Sequence, residues 1–123
     1  MLKIYPCLFS CRMISLNTEH MFVYLGVVVL NSKKRIINEF IEMCEPKMEF
    51  EERIEIFIGS NGVMISLLSI IDNFFLVNST VEIEMEKHVI SINLKEYEVN
   101  LTEAEGVFTL SFKNESNEIR ISI

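Results

Sequence analysis

Residues 81–101, VEIEMEKHVISINLKEYEVNL, set an apolar side chain at nearly every second place, with a glutamate or another polar residue between. Val81, Ile83 and Met85 alternate with Glu82, Glu84 and Glu86. Ile90, Ile92 and Leu94 alternate with Ser91 and Asn93, and Tyr97, Val99 and Leu101 with Glu96, Glu98 and Asn100. A period of two belongs to a strand with one dry face and one wet face. The pattern resumes at Phe108, Leu110 and Phe112 and again at Ile119, Ile121 and Ile123, with TEAEG and KNESNE as the breaks. Residues from 80 onward therefore predict a C-terminal β-meander whose helices cover the apolar face.

Working back from there, Ile54, Ile56 and Ile58 alternate with Arg53, Glu55 and Phe57 up to the GSNG stretch at 59–62. Glycine and asparagine tolerate positive φ, so this reads as the turn of a hairpin. Ser66 offers a cap for a second helix over 67–77, where Ser66, Ser69, Asp72 and Asn73 recur every three or four places as a narrow wet stripe. A first helix is expected over 33–45. Ser32 would cap it, Ile36, Ile37, Phe40, Ile41 and Cys44 would form its apolar face, and Pro46 would end it. Its basic residues, Lys33, Lys34 and Arg35, come early and Glu39, Glu42 and Glu45 late, which opposes the helix dipole. The basic end thus needs packing to hold it, or has a use of its own.

The stretch MFVYLGVVVL, residues 21–30, is β-branched and aromatic throughout and reads as a strand buried on both faces. Thr18–His20 would turn into it from an earlier strand, residues 2–17, interrupted at Pro6. The expectation for the whole chain is a single α+β domain, 1–123. It is a mostly antiparallel sheet packed against two helices, about 33–45 and 67–77.

The chain has 123 residues, half of them apolar, and a net charge of −7. Seventeen acids are Glu and one is Asp, Asp72, which equips the chain poorly for a magnesium site. The charge disfavours nucleic acid and anionic membrane surfaces and favours basic partners. The ten apolar residues at 21–30 fall well short of the roughly twenty needed to cross a bilayer. Cys7, Cys11 and Cys44 lack zinc-knuckle spacing and read as small core residues in a reducing compartment, so a cytoplasmic protein is expected.

No cofactor motif or metal-ligand cluster is recognisable. No Gly-x-Ser-x-Gly elbow surrounds Ser66 or Ser69. His20 and His88 lie far apart, with nothing to bring either to Cys44. A catalytic carboxylate needs a shifted pKa, and the glutamates of the comb sit on the wet side of their strands. A non-enzymatic protein is expected.

The functional expectation rests on Glu82, Glu84, Glu86, Glu96 and Glu98 as the acidic face of neighbouring segments. Like charges side by side cost stability, and a face that served only solubility would intersperse lysines. The expected function is a small acidic inhibitor or immunity-type protein that neutralises a basic partner such as a nuclease toxin or a defence nuclease. A merely solvated face is the bland alternative. The surplus of apolar residues leaves two others open: a binder of a small apolar ligand, or a structural subunit, such as a homodimer, completed by another copy.

Overall fold

The computed structural model describes residues 18–123, with side chains from residue 27 on. The chain divides between Ser32 and Lys33 into two compact units. Of the first, the described part is helix throughout; the second, 33–123, holds the sheet. The strand expected within residues 2–17 lies outside the described residues.

Among the described residues one helix, α1, runs from Thr18 to Glu49 and replaces three expected elements: the turn at Thr18–His20, the strand at 21–30 and the helix at 33–45. The β-branched run at Val27–Val29 misled because propensity is a weak prior, a few tenths of a kcal/mol per residue. Ser32 lies inside the helix instead of capping it. Lys33–Arg35 fall mid-helix, away from the N-terminal end of the dipole, whereas Glu45 and Glu49 still stand near its C-terminal end. The expected apolar face is real: Ile37, Phe40 and Cys44, spaced three and four apart, are fully buried.

Pro46 does not stop the helix, which continues to Glu49. The stop is a backbone motif further on. The N–H of Glu52 donates to Lys47 O at 2.8 Å and that of Glu51 to Met48 O at 3.1 Å, a Schellman pair. Glu51 occupies the left-handed position of that motif, with φ of 53°.

Seven strands follow. They are β1 (Arg53–Ser60), β2 (Val63–Val77), β3 (Thr80–Met85), β4 (Val89–Asn93), β5 (Glu98–Ala104), β6 (Val107–Lys113) and β7 (Asn117–Ser122). The β1–β2 hairpin is as expected, closed by Asn61 and Gly62 at φ of 49° and 82°, the type I′ pattern. All pairings are antiparallel, in the order β4-β3-β2-β1-β7-β6-β5. Successive strands are thus neighbours except at one place, between β4 and β5. β7 returns to pair with β1, and β4 and β5 form the two edges.

The helix expected at 67–77 is strand, the greater part of β2. The pairing with β3 slips between Ile71 and Asn73, a bulge. Ile71 and Phe74 are buried while Asp72 and Asn73 between them are exposed. Two buried residues three apart imitate a helical period, and the bulge is what produced that spacing.

Between β4 and β5 stand only Leu94–Tyr97, with a single 3-10 turn at Leu94–Glu96. Seven flat strands would hold their edges about 29 Å apart, but five Cα steps from Asn93 to Glu98 reach at most about 18 Å. The sheet must therefore curl until its edges converge at this corner. Alternate side chains on the inner side, among them Ile56, Ile83, Ile92, Leu110, Phe112 and Ile121, are sealed from water together with Ile37, Phe40 and Cys44 of α1. Phe40 meets Phe74 edge to face, with ring centres 6.2 Å apart.

A non-glycine residue in the left-handed region costs of order 1 kcal/mol. Glu51→Gly is accordingly expected to stabilise the fold by about 0.5–1 kcal/mol in urea titration. A neutral or negative effect would mean the Schellman stop is not strained.

Candidate functional site

The acidic comb divides into two groups. Glu82 and Glu84 project from the outer side of β3, and among the described residues neither has a cation for a partner. Ser91 Oγ donates to Glu82 Oε1 at 2.8 Å, and Asn73 Nδ2 donates to Glu84 Oε1 at 2.9 Å. The cross-strand rows through them are Phe75–Glu82–Ser91 and Asn73–Glu84–Val89. No lysine or arginine stands in either row. Phe75, Val77 and Val89 are exposed beside the two carboxylates. Glu86 follows past the end of β3, exposed in the bend that leads to β4.

Glu96 and Glu98 lie elsewhere. The expectation that all five glutamates share neighbouring segments is corrected by the strand order, which places β5 at the edge opposite β4. Glu96 belongs to the 3-10 turn. Glu98 stands across from Lys113, which stands across from Glu118 on β7. That row alternates in sign, as a solvated sheet face commonly does. Chain proximity in the sequence hid this separation, because 81–101 carries one uninterrupted alternation on both sides of the corner.

The corner itself holds a feature that the sequence flagged only as a basic run out of place. Lys33 Nζ donates to Leu94 O at 2.8 Å and to Tyr97 O at 2.6 Å, the two carbonyls that flank the turn. Burial lowers the Lys33 pKa below its usual value, and the Glu98 carboxylate partly offsets that shift. Two further bonds tie the same turn. Leu94 N–H donates to Ser79 O at 2.8 Å, and Asn114 Nδ2 donates to Glu96 O at 3.3 Å. An open cleft of about 540 Å³ lies over this corner, lined by Lys33, Lys95 and Lys113 and by Glu96, Glu98 and Glu115, with Tyr97 and Asn114. Its lining residues are all charged or polar, three lysines against three glutamates, so it gives the apolar-ligand alternative no support.

Cys44 is fully buried on the inner face of α1. Burial pushes its thiol up to about 12, with Lys47 opposing weakly, so it is a neutral core residue at physiological pH. His88 is exposed in the bend between β3 and β4. The side chain of His20 lies outside the described residues. Among the described residues no group of three His, Cys, Asp or Glu side chains converges as metal ligands would, and no helix is long and apolar enough to cross a membrane. Comparison of the chain with protein-family models, with curated proteins and with solved structures gives no match.

Two outcomes follow from this geometry. Lys33→Met leaves two part-buried carbonyls without their donor and is expected to cost about 1–3 kcal/mol in chemical denaturation; Lys34→Met, which lacks such bonds among those described, should cost much less. For Cys44, the folded pKa lies above the unfolded value near 9. Its contribution is intact below pH 9 and is lost as pH rises from 9 toward 12. Cys44→Val should therefore lose less stability than the wild type over that interval. Equal alkaline slopes in the two proteins would contradict the assignment.

Proposed function

We propose that this chain is a non-enzymatic interaction module that binds a basic protein on the outer face of β2, β3 and β4. One observation carries this reading: Glu82 and Glu84 face no cation in their rows and stand beside exposed Phe75 and Val89. Two carboxylates held by neutral donors keep their full charge for a visitor. An aromatic ring beside them suits the flat guanidinium of an arginine, which pairs with a carboxylate and stacks on a π face. Glu86 extends the same acidic edge, whereas Glu96 and Glu98, interleaved with lysines, contribute little beyond long-range field.

The net charge of −7 supports the same conclusion from a distance. It steers a basic surface toward the chain and speeds encounter, while the apolar residues supply the desolvated contact that lasts. Within this class, an acidic inhibitor or immunity-type protein fits well, since the basic surface of a nuclease that grips phosphates is the natural complement of such a face.

The test compares two double reversals against a basic partner recovered from the native host. Glu82→Lys with Glu84→Lys should slow association by about tenfold or more at low salt and flatten its salt dependence. Glu96→Lys with Glu98→Lys should change the rate far less. Unchanged capture by the first pair, in protein whose circular dichroism matches the wild type, would remove the proposal.

A further inference from the structure

The first half of β2 is an edge, although β2 is an interior strand over its second half. Its pairing with β3 begins only at Ile71, opposite Met85. From Val63 to Ile70 it pairs with β1 on one side, and among the described residues nothing pairs with the other. The turn at Asn61–Gly62 fixes which backbone groups are left over. A two-residue type I′ turn makes Ser60 and Val63 a hydrogen-bonded pair. Pairs alternate from there, so Ile65, Leu67 and Ser69 direct their N–H and C=O toward β1. Met64, Ser66 and Leu68 direct theirs outward from the open edge.

Open edges are ordinarily guarded by a charge, a proline or a bulge. This one has none: from Asn61 to Ile71 there is no charged residue and no proline. Both of its faces are apolar as well. Val63 and Ile65 on the inner side are 63% and 52% exposed, and Met64 and Leu68 on the outer side are 73% and 59% exposed. A strand apolar on both faces is the composition of a sheet interior, which implies that the sheet continues past β2.

We infer that a second copy of this chain continues it, through antiparallel pairing of the two Val63–Ser69 edges about a two-fold axis at Ser66. The stretch is self-complementary in that register. Met64 falls opposite the partner copy's Leu68 on the outer side, and Ile65 falls opposite Leu67 on the inner side. The residues with outward backbone groups are the ones this register joins, giving about six N–H···O=C bonds. A partner chosen by charge would find nothing to recognise here, whereas an identical uncharged edge matches in both pattern and polarity. This joint is distinct from the β3 face and does not depend on it.

Sedimentation of the full chain at micromolar concentration should give twice the 14.3 kDa chain mass. Met64→Lys with Leu68→Lys places like charges opposite each other and should sediment at single mass, as should Met64→Glu with Leu68→Glu. Mixing the two variants should restore the double mass as a heterodimer. Ser66→Cys, in a chain with Cys7 and Cys11 replaced by serine, should cross-link on mild oxidation, because the paired Cα atoms lie about 5.5 Å apart; Leu68→Cys should not. The inference is overturned by a wild-type monomer, by variants that still dimerise, or by a mixture that stays monomeric. A monomer whose Met64, Ser66 and Leu68 amides exchange slowly with solvent would overturn it too, by assigning the edge to another part of this chain.

Discussion

Four residues between Asn93 and Glu98 decide the shape of this sheet. A seven-stranded sheet left flat would hold its edges about 29 Å apart, and the link can span only about 18 Å. Curling follows from chain length alone, before any side chain is considered. Once the sheet curls, its inner side becomes concave. A helix carrying Ile37, Phe40 and Cys44 on one face is then a matching filler, since a concave apolar wall of Ile, Leu and Phe needs a ridge to exclude water. The corner where the edges converge is also where a gap would leave carbonyls unsatisfied. Lys33 closes it by donating to Leu94 O and Tyr97 O at once. An ammonium suits this task because it carries three donors on a long flexible stem. Burial at that place lowers the Lys33 pKa, with the Glu98 carboxylate opposing the shift.

The same corner explains why one comb of glutamates became two. A strict alternation of acid and apolar residue on either side of a four-residue link looks like one hairpin and one face. In a meander whose pairing fails at that link, the two flanking strands become opposite edges. Local electrostatics then diverge by neighbour. Glu98 acquires Lys113 across from it and, through the corner, the field of Lys33. Glu82 and Glu84 acquire a serine and an asparagine. Equal formal charge in the sequence thus becomes Glu98 with a lysine across from it, and Glu82 and Glu84 with neutral neighbours.

What the sequence made legible was the periodicity of two. Every strand from β3 to β7 follows alternation visible at Val81–Met85, Val99, Leu110–Phe112 and Ile119–Ile121, and the β1–β2 turn is announced by its Asn-Gly. The apolar face of α1 around Ile37 and Phe40 was equally plain. Two elements were misread, each for a definable reason. At 21–30 the residues favour strand by propensity, a preference of tenths of a kcal/mol that helix continuity overrides. At 67–77 the bulge beside Asp72 shifts the alternation by one residue and so spaces buried Ile71 and Phe74 like residues of a helix. Strand order was not legible, because alternation specifies which way a residue faces and says nothing about which strand lies beside it. The site inherited that blindness. The acid residues were identifiable, and their neighbours were not.

The bulge also bears on why β2 is built from such uniformly apolar residues. A strand of fifteen residues that pairs with β1 along its first half and with β3 along its second must turn its unpaired side from solvent to sheet partway along. Bulges bend a strand and sharpen its twist where pairing changes, and here the slip falls where β3 ends at Met85. Had the first half only to meet water, selection against aggregation would favour lysine or proline there, as on ordinary edges. Instead Val63, Met64, Ile65 and Leu68 are exposed on a half-strand whose other side is paired by nothing among the described residues. Exposed apolar residues scattered singly are unremarkable; four within six positions, on a half-strand unpaired on one side among the described residues, are what the proposed joint would cover. On the proposed readings, the acidic β3 face would select a basic partner by charge and this neutral edge a second copy by pattern and hydrogen bonding. Strand β2 takes part in both, because it changes partner from β1 to β3 between Ile70 and Ile71.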